Sequence, residues 1–190
     1  MKILTTLSRL EILTRSQLQS LFDLKGDRNA RYTMQALRKF TNQIFVGENA
    51  YYLNKRGIEL VGADKKYRHS DQLMHKLMRN DAYIFYKPTE WFTEQAIEVR
   101  NIKVVPDAFF YSGSSYKFLE VDNTQRWHVN KRKFDDYKKL KDTGAFQRKY
   151  GKFPTLVWIV KFHSRKERLK ELSKEFDLFC EVYTHEEVII

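Results

Sequence analysis

The chain has 190 residues, a formal net charge of +11 and a sequence pI near 9.6. Such a positive field attracts polyanions, so nucleic acid is the first partner to consider and an anionic membrane surface the second. No apolar run is long enough to cross a bilayer and the N-terminus lacks a signal peptide pattern, so we expect an intracellular protein with no membrane insertion. The single cysteine, Cys180, excludes an internal disulfide and a cysteine-based zinc cluster.

Three helices are predicted at the start of the chain. Leucines at helical spacing predict a first short helix over residues 4–10, and Thr14–Gln17 has the pattern of a capping box that begins a second. Gly26 ends this second helix. A third helix is predicted from Asp27 to Phe40, with apolar residues at core spacing.

A β-hairpin and a short helix follow the three helices. The apolar segments within residues 44–53 flank a turn, and a helix is predicted at Lys55–Val61. Three helices and then a hairpin are the order of a winged helix-turn-helix. We therefore expect a DNA-binding domain over residues 1–62, a polar linker at 63–68, and a second domain over 69–190.

The third predicted helix carries a polar face without Asp or Glu after Asp27. Arginine reads guanine or contacts phosphate, and glutamine reads adenine, so this face is expected to bind double-stranded DNA. The alternative is an ordinary solvated basic face. The residues predicted to contact DNA are Arg28, Arg31, Tyr32, Gln35, Arg38 and Lys39 on the helix, with Asn49 and Tyr51 on the wing.

The second domain is predicted to alternate between strands and helices. The order helix-strand-strand-strand-helix-strand-helix-strand favours an α+β fold with a mixed sheet and flanking helices. Ser164–Glu167 has the pattern of another capping box. The three predicted strands in the first part of this domain are Tyr83–Tyr86, Lys103–Tyr111 and Tyr116–Asp122, and a further short extended piece, not counted in this order, is predicted around Ile97–Val99.

Three carboxylates are predicted to converge on one hairpin. Either a two-residue turn at Gly113-Ser114 or a four-residue loop places Asp107 opposite Glu120, and strand alternation places Glu120 and Asp122 on one face. Three close carboxylates repel one another unless a cation or a buried lysine compensates, and a hard divalent ion such as Mg²⁺ or Mn²⁺ fits this donor set. The alternative is the solvent-facing side of an antiparallel sheet.

At these residues the sequence resembles the PD-(D/E)xK nuclease core, through Pro106-Asp107 and then Glu120-x-Asp122. The resemblance implies that Asp107 and Glu120 hold a metal and that a lysine two positions after the glutamate assists the attacking water. Here that position is Asp122. Lys133, near the apolar face of the following predicted helix, is the candidate replacement for the missing lysine.

Over nearly its whole length the chain resembles the replication-relaxation family of plasmids and other bacterial mobile elements. The resemblance rests on Leu13-Thr14, His69, an acidic residue near Glu94, Pro106-Asp107, Glu120–Thr124, and a basic helix with Lys133 and Tyr137. It implies a role in plasmid replication or in DNA relaxation for transfer, in the cytoplasm of a bacterial or phage-infected cell. Replication or relaxosome proteins are then the expected protein partners.

Three functions follow from these patterns. The first is a DNA-binding initiator or accessory protein whose nuclease-like domain is degenerate. The second is a metal-dependent endonuclease or nickase that uses Asp107, Glu120, Asp122 and Lys133. The third is a transcriptional regulator whose second domain dimerises or senses a ligand, and a homo-oligomer is compatible with all three.

Overall fold

The computed structural model describes residues 1–63 and 72–189, which form two compact units, Met1–Ile84 and Phe85–Ile189. Helices and a mixed sheet are both present, so the predicted α+β class is confirmed. The units divide after Ile84, whereas the sequence placed the start of the second domain at residue 69. Residues 64–68 of the predicted linker, and His69, lie outside the described residues.

The first unit combines short helices with a three-stranded antiparallel sheet of order β1-β3-β2. The sequence analysis missed β1, a strand of only three residues. The elements are α1 (Lys2–Leu10), β1 (Ile12–Thr14), α2 (Arg15–Phe22), α3 (Gly26–Ala36), β2 (Thr41–Phe45), β3 (Asn49–Leu53), α4 (Lys55–Val61) and the first part of α5 (Leu73–Tyr86).

Local signals in the sequence fix where two helices of this unit begin. The predicted capping box at the start of α2 is confirmed: the Thr14 hydroxyl accepts the Gln17 N–H at 3.2 Å, and the Gln17 side chain accepts the Thr14 N–H at 3.0 Å. At the start of α4 the Asn54 side chain accepts the Gly57 N–H at 3.0 Å. Both contacts satisfy N–H groups that have no partner inside the helix.

The second unit is built on a five-stranded mixed sheet of order β10-β9-β8-β7-β4. Strands β4, β7 and β8 are antiparallel neighbours, whereas β8, β9 and β10 run parallel. The elements after α5 are β4 (Glu90–Thr93), β5 (Ile97–Val99), β6 (Ile102–Val104), β7 (Ala108–Ser112), β8 (Ser115–Asp122), α6 (Trp127–Asp142), α7 (Ala145–Tyr150), β9 (Thr155–Val160), α8 (His163–Glu175), β10 (Cys180–Thr184) and α9 (His185–Val188).

Three local predictions for this part of the chain are wrong. Tyr83–Tyr86 is the last turn of α5, since a short apolar run fits a buried helix end as well as a strand. The predicted strand Lys103–Tyr111 is interrupted at Val105–Asp107, where Pro106 has no N–H to donate to a neighbouring strand. Ser164 lies inside α8, which begins at His163 without a side-chain cap.

Aromatic and aliphatic side chains fill the space between the five-stranded sheet and α6 to α8. Phe118, Phe134 and Trp158 are fully buried there, and the Phe134 and Trp158 rings stack at 5.3 Å. This core covers the sheet face that carries the carboxylates of β8. Among the described residues, no helix is both long and apolar enough to span a membrane.

Candidate functional site

Four of the residues predicted to contact DNA lie on α3 with exposed side chains. Arg28, Arg31, Tyr32 and Gln35 face solvent, whereas Ala30 and Met34 on the same helix are buried. The guanidinium carbon of Arg28 lies 5.6 Å from the centre of the Tyr32 ring. The helix therefore separates a core stripe from a polar stripe, as its periodicity predicted.

Arg38 and Lys39 are not on this helix, and their predicted placement is wrong. Helix α3 ends at Ala36, and the Thr41 hydroxyl donates to the Leu37 carbonyl at 3.2 Å. The Phe40 carbonyl accepts the Asn54 N–H at 3.0 Å. Helix α3 therefore ends one turn before its apolar pattern does, and Arg38 and Lys39 are exposed in the turn that follows.

A polar groove of about 360 Å³ lies between α3 and the β2–β3 hairpin. Both predicted wing residues contribute to it, although Tyr51 is only 5% exposed and Asn49 is half-buried. Arg31 and Arg38 form no ion pair within the described residues, so their charges face the groove without an acidic neighbour. The polar side chains along it are Arg31, Gln35, Arg38, Thr41, Asn42, Gln43, Asn49 and Tyr51.

The predicted register of the second-unit hairpin is confirmed. Ala108 pairs with Leu119 and Ser112 with Ser115, which leaves Gly113-Ser114 as a two-residue turn. Gly113 has a φ of +64°, a conformation that glycine adopts without steric cost. The same register sets Asp107 opposite Glu120, and the Asp107 N–H donates to the Leu119 carbonyl at 3.0 Å.

Glu120 is held in the core by a lysine and a tyrosine from α6. It is 1% exposed, and the Tyr137 hydroxyl donates to its Oε1 at 2.6 Å while the Lys133 ammonium donates to Oε2. Burial raises the pKa of Glu120 to about 7, although the charge of Lys133 opposes that shift. Burial also lowers the pKa of Lys133, but the charges of Glu120 and Asp107 outweigh it and raise that pKa overall.

Asp122 is fully buried at the end of β8, where it joins three parts of the chain. Its Oδ1 accepts the Gln125 N–H at 2.9 Å, and its Oδ2 accepts the Asn130 amide at 2.6 Å and the Arg165 guanidinium. Arg165 also donates to the Gln125 carbonyl at 2.7 Å. The carboxylate thereby connects β8, the loop into α6, and α8.

Asp107 closes the open end of the β7–β8 pair. It is half-buried, and its Oδ2 accepts the Val121 N–H at 2.6 Å. Val121 lies two residues after Leu119, the last residue of β8 that pairs with β7. The negative charge of Asp107 contributes to the raised pKa of Glu120, so the two carboxylates interact. The alternative of a solvent-facing carboxylate row does not hold for Glu120 and Asp122, because both are buried under α6.

The carboxylates do not form a three-ligand metal group. In the part of the chain that the structure describes, no three His, Cys, Asp or Glu side chains are placed to hold one ion. Asp122 accepts hydrogen bonds from Gln125, Asn130 and Arg165, and each oxygen of Glu120 accepts one, from Tyr137 or Lys133. Side chains and backbone of the chain itself are therefore the partners of these two carboxylates.

The sequence analysis missed two residues of this network. Asn130 lies one helical turn before Lys133 and two before Tyr137, so helical spacing was a usable signal for it. Arg165 is separated from Asp122 in the sequence by α6, α7 and β9, and no local pattern connects the two. Lys117, on the other face of β8, contacts Glu181 at 2.6 Å, which agrees with its exclusion from the carboxylate site.

Comparison with known proteins gives one family. The replication-relaxation family model matches residues 4–156, which includes all of the first unit's described residues except the first three, and the carboxylate strand and α6 of the second. No curated protein and no solved structure is significantly similar to the chain. Since the match covers well over half of the sequence, the chain belongs to the replication-relaxation family.

Proposed function

We propose that this protein binds double-stranded DNA through residues 1–62, folded as a winged helix-turn-helix, and acts in plasmid replication or DNA relaxation. The observation that carries the proposal is the polar groove beside α3, with two arginines that have no carboxylate partner in the described residues. In this assignment α2 and α3 are the helix-turn-helix, α3 is the recognition helix, and the β2–β3 hairpin is the wing.

The chemistry of the exposed α3 face supports duplex recognition. Arg28, Arg31 and Gln35 are side chains that read base edges in the major groove, and Arg38 and Lys39 follow at the helix end as candidates for phosphate contacts. The only acidic residue on this helix, Asp27, is neutralised by Arg15 at 3.2 Å. A phosphate backbone would therefore meet a positive surface.

A fluorescence anisotropy titration with a labelled random-sequence duplex tests the proposal. Arg31→Ala and Arg38→Ala are expected to weaken binding, and each lost phosphate contact should reduce the salt dependence of the binding constant by about 0.9. Arg56→Ala, an exposed arginine on α4 away from the groove, is the matched control. If both groove variants bind like the control, the groove is not the DNA interface.

We propose further that the second unit is a PD-(D/E)xK-like domain that does not cleave DNA. The order of the elements α5, β4, β7, β8, α6 and β9 supports this, and in this assignment Asp107 and Glu120 are the acidic residues of the core. Lys133 and Arg165 neutralise the buried carboxylates from within the chain. Glu120 and Asp122 are each paired with a cation of the chain, so these two carboxylates do not need a metal to offset their charge.

A metal-dependent endonuclease or nickase is the second candidate. Lys133 favours it, because its ammonium contacts Glu120 and it is the candidate replacement for the lysine that the resemblance expects at position 122. Supercoiled plasmid incubated with Mg²⁺ or Mn²⁺ is the test. Our proposal predicts unchanged plasmid with the wild type. Relaxed or linear product that is lost in Glu120→Gln and retained in Asp135→Asn, a surface carboxylate on α6, would establish the nuclease instead.

A further inference from the structure

The second unit contains an aromatic pocket of about 400 Å³ that the carboxylate site does not use. Its wall is formed by β4, β5, β7, β8 and α7, and includes Phe92, Phe109, Tyr116, Phe146 and Tyr150. Tyr116 lies four residues before Glu120 on β8, which is about 13 Å along the strand. The pocket and the carboxylates are therefore separate features of one sheet face.

Two pairs of rings on the wall of this pocket are close to parallel. Phe92 and Phe109 stack with centroids 6.3 Å apart and planes inclined by 25°, and Phe109 and Tyr116 stack at 5.0 Å and 12°. Phe92 is 41% exposed, so one end of this row is open to solvent. Parallel rings with an exposed member provide a surface on which a planar ligand can stack.

A second pocket of about 160 Å³ lies next to the first. Both are lined by Tyr116 and Tyr150, whose ring centroids are 4.5 Å apart, so this tyrosine pair separates two neighbouring pockets. The larger pocket is lined by Lys149 and the smaller by Lys152. Each pocket thus combines aromatic rings with one ammonium group.

The α7 side of the two pockets is positively charged. Arg148, Lys149 and Lys152 are exposed, and the segment from Thr143 to Lys166 contains no Asp or Glu. The one carboxylate on the wall, Glu90, accepts a hydrogen bond from the Tyr116 hydroxyl at 3.0 Å. The surroundings favour an anionic occupant that also has planar aromatic groups.

We propose that the two pockets bind consecutive unpaired bases of single-stranded DNA. Bases stack on the exposed rings, and the phosphates beside them pair with Lys149 and Lys152. Stacking on aromatic side chains is tolerant of sequence, since every base has a π-face. This function is additional to duplex binding by residues 1–62 and does not depend on it, because the two use different units.

The experiment is a titration of the full chain against a fluorescein-labelled twelve-nucleotide oligothymidylate. Phe92→Ala removes the exposed ring, and Ala145→Leu places a larger side chain on the pocket wall without deleting any contact group. Both variants are expected to weaken binding about tenfold or more. Phe162→Ala is the matched control, because Phe162 is 51% exposed beside Lys161 but outside both pockets, and it should bind like the wild type.

Two further readouts separate base stacking from charge attraction. A 2-aminopurine placed within the oligonucleotide should change its fluorescence on binding to the wild type and not to Phe92→Ala. An oligonucleotide with abasic sites should bind several-fold more weakly than the intact strand. Equal affinity of Phe92→Ala, Ala145→Leu and wild type, or equal affinity of abasic and intact strands, would overturn the proposal.

Parallel titrations with duplex DNA keep this inference distinguishable from the proposed duplex function. Phe92→Ala should retain duplex binding, and Arg31→Ala should retain single-strand binding. If Arg31→Ala binds duplex DNA like the wild type while Phe92→Ala still weakens single-strand binding, only the assignment of the α3 groove is wrong. If Phe92→Ala binds single strands like the wild type while Arg31→Ala still weakens duplex binding, only the assignment of the pockets is wrong.

Discussion

Replacement of Lys133 by methionine tests how the second unit tolerates a buried carboxylate. The substitution retains an unbranched side chain but removes the ammonium that donates to Glu120, while the Tyr137 hydroxyl remains. Removing one partner of a buried ion pair typically costs 3–5 kcal/mol. Because 23% of the Lys133 side chain is exposed, we expect the lower end of that range, about 3 kcal/mol at pH 8.

The cost of Lys133→Met should depend on pH in a defined direction. The folded-state pKa of Glu120, about 7, lies above its ordinary value of 4.5, so folding takes up a proton between these values. The free energy of unfolding therefore decreases as the pH rises through this window. Without Lys133 the pKa of Glu120 rises further, so at pH 5 the carboxyl is neutral in the folded variant and the cost should fall well below its value at pH 8.

Tryptophan fluorescence during urea unfolding is a suitable measurement, since Trp91, Trp127 and Trp158 all lie in the second unit. The double variant Glu120→Gln/Lys133→Met should recover most of the stability that Lys133→Met loses at pH 8. A loss of equal size at pH 5 and pH 8, or no recovery in the double variant, would refute the assignment of Lys133 as the compensating charge.

Three other predictions concern stability. Thr14→Ala should lower the free energy of unfolding by about 1 kcal/mol in far-UV circular dichroism melts, because the α2 cap is lost, whereas Thr14→Ser should not. Gly57→Ala should cost about 1–3 kcal/mol by the same assay, since the added Cβ would lie 2.1 Å from the Phe40 carbonyl oxygen. Asp122→Ala should destabilise the second unit by about 3–5 kcal/mol in tryptophan-monitored unfolding, because Arg165 loses its buried partner; an unchanged midpoint would contradict the joining role of this carboxylate.

Short-range patterns determined much of the fold from the sequence. The capping box at Thr14 and the helix Lys55–Val61 agree with the structure, because both depend on residues within a few positions of each other. The register of the hairpin that carries Glu120 was also predictable, since a Gly113-Ser114 turn fixes the pairing of every residue that follows it.

Errors occurred where a distant part of the chain decides the local structure. Helix α3 ends at Ala36 although the apolar pattern continues to Phe40, and the Phe40 carbonyl accepts the N–H of Asn54, a contact that is not visible in the periodicity of residues 27–40. Tyr83–Tyr86 is helical although its apolar run is also typical of a strand, because a run of four residues has no period that distinguishes the two.

The sequence by itself determined that Asp107, Glu120 and Asp122 occur on one hairpin, because strand alternation and turn length are local properties. Only the tertiary structure decided what surrounds these carboxylates. Packing of α6 and α8 on the sheet brings Lys133 to Glu120 and Arg165 to Asp122, and burial makes those cations necessary. The physical reason is that a charge removed from water needs a partner, and the chain supplied these partners from helices whose positions no local pattern specifies.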